Sequence, residues 1–445
     1  MAAIASTSKS SRREKWAWYW YDFGNSAYAA VVLLAVYSAY FQGTVVGGAE
    51  GSRLWGIAVG IAMLVVAVTA PILGTISDFS ASKKRFLFFY TALSCGFTAL
   101  LFFVQQGTIF IGMLFFILAE IGYRSAQVFY NALLPDIADQ EEMGRVSGNG
   151  WAFGSFGGII CLLIVLAGIL LIGGGLIVRL SLAFTAVFFA ASAVPIFLWV
   201  RERAKPNNLP QGENYISLAF KRLTATFHEV KSFREFLKFM VAFLIYNDGV
   251  LMMLDFGAIL GAVLFGMTQQ ELIIFMIIVQ VTSVVGAYIG GLVASDYGSK
   301  WSLVGSLVLM IVPVVWLYFT QNKLAFYIIG GLAGFALTGV QSVSRTMVGL
   351  MAPEGKSAEF FGFFAVAGKA TSFIGPTVFG LLAAGLTSNL IRSGQPTALA
   401  EQLGHRGALF AIIAFLLVGL VILLTVNEKK ARAQAGIETP RAAIK

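Results

Sequence analysis

The run AEIGYRSAQVFYNALLPDIADQEEMGRVSGNGWAFGSFGG, Ala119 to Gly158, decides how the chain is read. It begins inside an apolar segment starting near Phe110, in which Glu120, Arg124, Gln127 and Asn131 recur at intervals of four, three and four. Helical periodicity puts all four on one face. An ionised side chain at mid-depth in hydrocarbon costs at least ~2.5 kcal/mol, so a polar stripe on a greasy helix must face other protein or a watery cavity. The run then passes Pro135, an acidic turn of Asp136, Asp139, Glu141 and Glu142, and the glycines 148, 150, 154, 157 and 158. Such glycines let a second helix approach closely.

The rest of the chain has the same character. It is 445 residues long, 58% hydrophobic and 12% charged, with a mean hydropathy of +0.82. An ordinary soluble domain is roughly 25% charged, so this is a polytopic membrane protein. The net charge of +9 comes from short basic runs beside apolar spans, which is a topology signal and excludes a nucleic-acid partner. Cys95 and Cys161 lie in apolar spans, without a disulfide framework or a metal motif. His228 and His405 read as members of polar connections, which removes most metal-hydrolase and histidine acid/base readings. No cleaved signal peptide and no Walker loop are read, so neither a metal nor a cofactor is expected.

Spans of ~20 apolar residues cross the bilayer as helices. Twelve are expected, near 16–46, 54–77, 86–105, 109–134, 147–171, 176–200, 237–265, 271–295, 301–320, 325–351, 360–386 and 407–426. The fold class is therefore all-α, with a six-helix bundle over 16–200 and a second over 237–427. Tails occupy 1–15 and 428–445. The long polar connection 201–236 contains most of a segment, 215–238, that suits an amphipathic helix on the membrane surface. Placing the N-terminus in the cytoplasm leaves only Arg53, Arg179, Lys323, Arg392 and Arg406 outside and Arg124, Arg345 and Lys369 within spans. The remainder of the 31 Lys and Arg then lie inside. Both termini are expected to be cytoplasmic.

A shift of 218 residues superimposes Asp78 on Asp296, Gly112 on Gly330, Pro135 on Pro353, Glu141 on Glu359, Gly150 on Gly368 and Gly157 on Gly375. Matches of Asp, Pro and Glu at corresponding span ends point to two repeated halves, the architecture of alternating-access carriers.

Several runs carry a resemblance. GTISDFSASKKR, Gly74 to Arg85, resembles the loop motif of the major facilitator superfamily, and GLVASDYGSK, Gly291 to Lys300, echoes it after span eight. WYWYDFGNSAYAAVV at Trp18, FYNALLPDIADQEEMGRVSGNGWAFG at Phe129, FLIYNDG at Phe243 and FFGFFAVAGKATSFIGP at Phe360 are similar to the vacuole-effluxer branch. That branch comprises the autophagy-related vacuolar amino-acid effluxers of fungi and their bacterial relatives. The resemblance spans nearly the whole chain and implies a twelve-helix carrier with a central cavity, exporting amino acids in its fungal members.

Charges within spans are the candidate chemistry. Glu120 and Arg124 stand in the favourable i, i+4 order, which admits either a self-neutralised pair or an arginine fork held for a substrate carboxylate. Asp22 shares a helical face with Asn25 and Ser26. With Glu120, Asp248 and Asp255, it forms the set of candidate proton-coupling carboxylates. Asn25, Tyr28, Arg124, Gln127, Asn131, Tyr246, Asn247, Gln280, Gln341, Arg345 and Lys369 are the candidate substrate contacts. Lys369 is expected to meet a partner carboxylate. Asp78, Lys83 and Arg85, with Asp296 and Lys300 in the second half, are the candidate gate. The aromatic run Trp16, Trp18, Tyr19, Trp20 and Tyr21 reads as interfacial anchoring.

The function this supports is secondary transport of a small zwitterionic solute, an amino acid, as a proton-linked exporter in a bacterial inner membrane. The expected unit is a monomer whose partners are substrate, proton and bilayer. An exporter of drugs or sugar derivatives, or a non-transporting receptor, are the alternatives. A membrane enzyme is disfavoured by the histidine placement.

Overall fold

The computed structural model describes residues 11–203 apart from 139, a few positions between 214 and 224, residues 233–352 and residues 357–434. The surface helix expected over 215–238 falls mostly outside the described residues, as does most of each tail. Within them, twelve helices are long and apolar enough to cross a membrane. They are α1 (Arg12–Val46), α2 (Gly48–Ala70), α3 (Lys83–Phe103), α4 (Ile109–Ala132), α5 (Asn149–Ile172) and α6 (Gly174–Trp199) in the first half. In the second they are α7 (Arg234–Phe265), α8 (Gln269–Gly286), α9 (Ser299–Phe319), α10 (Lys323–Met351), α11 (Val366–Arg392) and α12 (Thr397–Thr425). Large apolar side chains such as Leu171, Val187, Trp301 and Phe319 lie open on the outside, where lipid covers them.

Three places depart from the regular pattern that hydropathy suggests. The long apolar stretch through α5 and α6 is cut at Gly173 and Gly174, whose φ of +68° and +81° only glycine adopts without strain. The first helix widens to π geometry over Ala29–Ala35, with Val36 N–H donating to Val31 O at 2.8 Å. Ala35 O then accepts from Gln269 Nε2 of α8 at 2.8 Å. The eleventh is two helices, Ser357–Thr371 and Ile374–Arg392, joined by a turn.

The two halves repeat the same main helix pairings. Helix α1 packs on α5 and α6, and α3 on α4 and α6; correspondingly α7 packs on α11 and α12, and α9 on α10 and α12. Corner hydrogen bonds repeat as well. Glu14 Oε1 accepts from Arg201 N just beyond α6 at 3.2 Å, and Glu235 Oε2 accepts from Asn427 N just beyond α12 at 2.8 Å. Lys84 Nζ caps the end of α6 through Phe197 O and Val200 O, while Lys300 Nζ caps α12 through Leu424 O and Val426 O. Glu202 and Glu428 accept the main-chain N–H groups of Lys83 and Lys300. The glycine pairing is physical too: a Cβ at Gly157 would lie 2.1 Å from Phe23 O of α1, and one at Gly375 would lie 2.7 Å from Asp248 O of α7.

Between the halves the main pairings are α2 with α11 and α5 with α8, which the repeat exchanges for one another. Glycines 56 and 60 of α2 abut Pro376 O and Thr377 Oγ1, and Gly380 abuts Ser52 O. These contacts lie toward the end of the bundle away from the termini, where they bring the two halves into close contact.

Two expectations change. Trp16 and Trp20 are exposed as anchors should be, but Trp18 and Tyr21 are buried. Trp18 donates to Tyr130 O at 3.1 Å and stacks on that ring, and Tyr21 shares a hydrogen bond with Thr91 Oγ1 at 2.8 Å. His405 is not in a polar connection: α12 begins at Thr397, and the imidazole is fully buried.

Candidate functional site

Helix α4 carries the polar stripe into the centre of the molecule. Arg124 Nε donates to Glu120 Oε1 at 2.7 Å, and Tyr28 OH of α1 donates to Glu120 Oε2 at 3.0 Å. Both carboxylate oxygens are thereby occupied and Glu120 is fully buried. The Tyr28 ring stacks on Tyr123 with centroids 4.5 Å apart, and Gln127 hydrogen-bonds the Tyr123 hydroxyl. The i, i+4 spacing thus gives the self-neutralised pair, held by a third residue from another helix.

The second half brings charges to the same place. Asp255 of α7 is 2% exposed, and neither of its carboxylate oxygens has a hydrogen-bond partner among the described residues. Its main-chain carbonyl accepts from Trp55 Nε1 of α2 at 2.9 Å, which fixes that turn of α7 against the first half. Lys369 ends the first segment of α11, where Ser372 Oγ donates to its carbonyl at 2.9 Å. No carboxylate meets the Lys369 ammonium among the described residues, contrary to expectation. Asp255 and Lys369 both lie within electrostatic reach of Arg124.

Accessible surface shows where these groups point. The Arg124 side chain keeps 20% of its surface open, Asp22 and Lys369 are half-buried, and Arg345 is exposed. Yet protein surrounds all four. These four side chains thus keep accessible surface although protein lies on most sides of them. Asp22 hydrogen-bonds Asn25 and, with Ser26, lies on the glycine face of α5: a Cβ on Gly154 would meet Asp22 Oδ2 at 2.7 Å. Gln280 of α8 reaches the same face from the other half, where a Cβ on Gly158 would meet its Oε1 at 2.8 Å. Its Nε2 and the Oδ1 of Asn25 have no partner among the described residues.

Other candidates are placed elsewhere. Tyr246 is fully buried and shares a hydrogen bond with Ser344 Oγ at 2.6 Å, so it ties α7 to α10. Asn247 accepts from Gln341 Nε2 at 3.0 Å in a second tie between the same helices. Asp248 is buried with Oδ1 unpartnered among the described residues, its main chain pressed on Gly375. Asn131 is exposed at the end of α4. Of the expected gate, Lys83 Nζ bonds Asp136 Oδ2 at 3.2 Å and Ala132 O at 3.0 Å within its own half, Arg85 is exposed, and Lys300 caps α12. The side chains of Asp78 and Asp296 lie outside the described residues.

The residues that hold the halves together were not foreseen from the sequence. They are Trp55, Gln269, and the pair Ser52 Oγ and His405 Nε2, 2.6 Å apart. The His405 Nδ1 is in turn 2.8 Å from Glu401 O, so both ring nitrogens are satisfied in a buried place. Arg406 likewise bonds Tyr318 O and Thr320 O at the end of α9.

Comparison with known proteins agrees with this architecture. Residues 56–436 match the family described as vacuole effluxer Atg22 like. The chain is similar to an uncharacterized MFS-type transporter, YxiO, of Bacillus subtilis (strain 168), with 29% identity covering 93% of this chain and 94% of that one. It is also similar to autophagy-related protein 22 of Yarrowia lipolytica, at 24% identity over 65% of this chain and 51% of the fungal protein. Among solved structures, a bacterial homolog of the human lysosomal transporter Spinster, inward-facing and occupied, superposes with a TM-score of 0.71 at 13% identity. It covers 96% of this chain and 97% of its own. The nucleoside transporter NupG, in the form of a point mutant, superposes with a TM-score of 0.70 at 13% identity, covering 93% and 98%. Both likenesses are of fold: the major facilitator arrangement of twelve helices in two six-helix bundles.

Proposed function

The chain belongs to the vacuole effluxer Atg22-like family, and from that membership we propose that this membrane transporter moves a small zwitterionic solute, an amino acid, out of the cytoplasm by alternating access, coupled to protons. One observation carries the reading. Charges of both signs from both halves, Glu120 and Arg124 on one side and Asp255 and Lys369 on the other, meet around one guanidinium beside accessible interior surface. A ligand bearing both signs suits such a site better than a lipophilic one, because every buried charge then gains a partner.

The carboxylates divide by role. Glu120 is held by Arg124 and Tyr28, and serves mainly to aim the arginine. Asp22, Asp248 and Asp255 are the groups free to exchange a proton. The asymmetry of Lys and Arg supports placing the end that carries the termini in the cytoplasm; the likeness to a Bacillus subtilis transporter supports a bacterial cell membrane, and the proposed working unit is a monomer. The close approach of α2 and α11 toward the far end supports reading this as the inward-facing member of the cycle.

Purified protein in proteoliposomes, loaded with labelled amino acids and measured with and without a pH gradient, tests this. Saturable flux that the gradient accelerates and Arg124→Ala abolishes is the expected result. Absence of flux for every amino acid, alongside flux of a sugar derivative or a lipophilic cation, overturns it.

A further inference from the structure

Two charges in the central cluster lack partners among the described residues, and they are of opposite sign. Asp255 is buried with neither oxygen bonded. Lys369 has no acceptor there for its ammonium, and it lies within electrostatic reach of the Arg124 cation. Each lies within electrostatic reach of Arg124, and no ion pair joins the two among the described residues. Arg124 itself is only half satisfied. Its Nε is fixed by Glu120, whereas Nη1 and Nη2, with four N–H bonds between them, have no acceptor among the described residues. The open surface on its side chain belongs with that free edge.

A buried polar group without a partner needs an explanation, and an unpartnered carboxylate needs one most. Here one explanation covers all three groups. The free edge of a guanidinium is a flat fork that matches the two oxygens of a carboxylate, and a neighbouring ammonium adds a third donor to the same anion. A carboxylate seated there would remove the repulsion between Arg124 and Lys369. An ammonium a few ångströms away would meet Asp255.

Resting on the amino-acid reading above, we propose that the structure assigns the two ends of the substrate. The carboxylate sits between the free edge of Arg124 and Lys369, bridging the halves, and the ammonium sits on Asp255. The site therefore takes free α-amino acids with both ends uncapped. It rejects amines, esters, amides and N-acylated derivatives, whatever their side chain.

The test is ligand-induced thermal stabilisation of the full-length purified protein, which reads affinity through preferential binding to the folded form. The twenty protein amino acids are the first probes. The strongest stabiliser is then compared with its decarboxylated amine and its deaminated acid. In Lys369→Gln the amino acid should bind ~10- to 100-fold more weakly, the loss expected when a charge-assisted bond is removed, with the amine unchanged. In Asp255→Asn the amino acid should weaken similarly, with the deaminated acid unchanged. Lys369→Arg and Asp255→Glu, which keep the charges, should retain the discrimination and show that the folded site survives. If both neutral variants bind the amino acid as the wild type does, or if the pattern is reversed, the assignment is wrong while the transport reading stands. If no amino acid stabilises the wild type, both fall together.

Discussion

The two halves share a scaffold but treat charge in opposite ways. In the first, Glu120 is paired at both oxygens by Arg124 and Tyr28, which fixes the guanidinium through Nε, and Asp22 leans on Asn25. In the second, Asp248, Asp255, Lys369 and Arg345 have, among the described residues, no partner for at least one charged or polar atom. The repeat supplies corresponding helices, so the difference lies in the side chains they carry and in local departures such as the break in α11 beside Lys369. It teaches that the first half offers a preformed anchor, and the second offers charges whose partners must arrive from outside the protein.

The largest expected effect breaks the anchor. Glu120→Gln leaves Arg124 without its fixed counter-charge, and removing one member of a buried pair costs ~3–5 kcal/mol, toward the lower end here because the guanidinium keeps open surface. Thermal unfolding in detergent should shift down clearly, and flux should vanish with it. The second half should behave differently. Asp255→Asn and Lys369→Gln remove charges that the empty protein does not pair, so its unfolding temperature should hold or rise while amino-acid flux at low substrate falls ~10- to 100-fold. A Lys369→Gln protein destabilised as much as Glu120→Gln would erase the distinction.

Hydropathy and periodicity made the twelve helices legible, because a span needs only length and an apolar composition. The four-residue spacing made the Glu120–Arg124 pair legible, because both partners sit on one helix. Contacts made across the chain were not. His405 lies in the polar run GHRG and reads as a loop residue, yet Ser52, 353 positions earlier, satisfies one of its nitrogens and the local Glu401 carbonyl the other. Trp18 and Tyr21 read as lipid anchors because composition reports amphipathic rings, not the Tyr130 and Thr91 that receive them. The break in α11 falls at Ser372 and Phe373, where Pro376 has no N–H to offer the Ser372 carbonyl four residues earlier; the unbroken hydropathy across it makes the stretch pass for one continuous span.

The glycine pair sharpens the comparison at intermediate cost. Gly157→Ala and Gly375→Ala each drive a methyl group into the main chain of the facing helix, at Phe23 O and Asp248 O. Overpacking of this kind costs ~1–3 kcal/mol. The tighter approach at Gly157 should make it the more damaging, read as the larger fall in unfolding temperature. Gly375→Ala presses on the turn that carries Asp248, so it should also disturb transport more than its stability loss alone explains. Equal effects on flux would mean that the second half is no more directly engaged with the substrate than the first.

The smallest effect tests the scaffold where function should not enter. Lys84 and Lys300 do the same work at corresponding corners, each ammonium closing the exposed carbonyls that end the sixth helix of its half. Substitution by methionine keeps the aliphatic stem and deletes only the charged donor, so each change should cost ~0.5–1.5 kcal/mol. Lys84 is set deeper, its partner Glu202 also engaging the main chain of Lys83 and Lys84. Lys300 has its outer hydrogen bond in the open. The loss should therefore be somewhat greater in Lys84→Met, with amino-acid affinity unchanged in both. A selective loss of affinity in either variant would show that these corners report on the centre. The division between a repeated frame and an unequal core would then have to be redrawn.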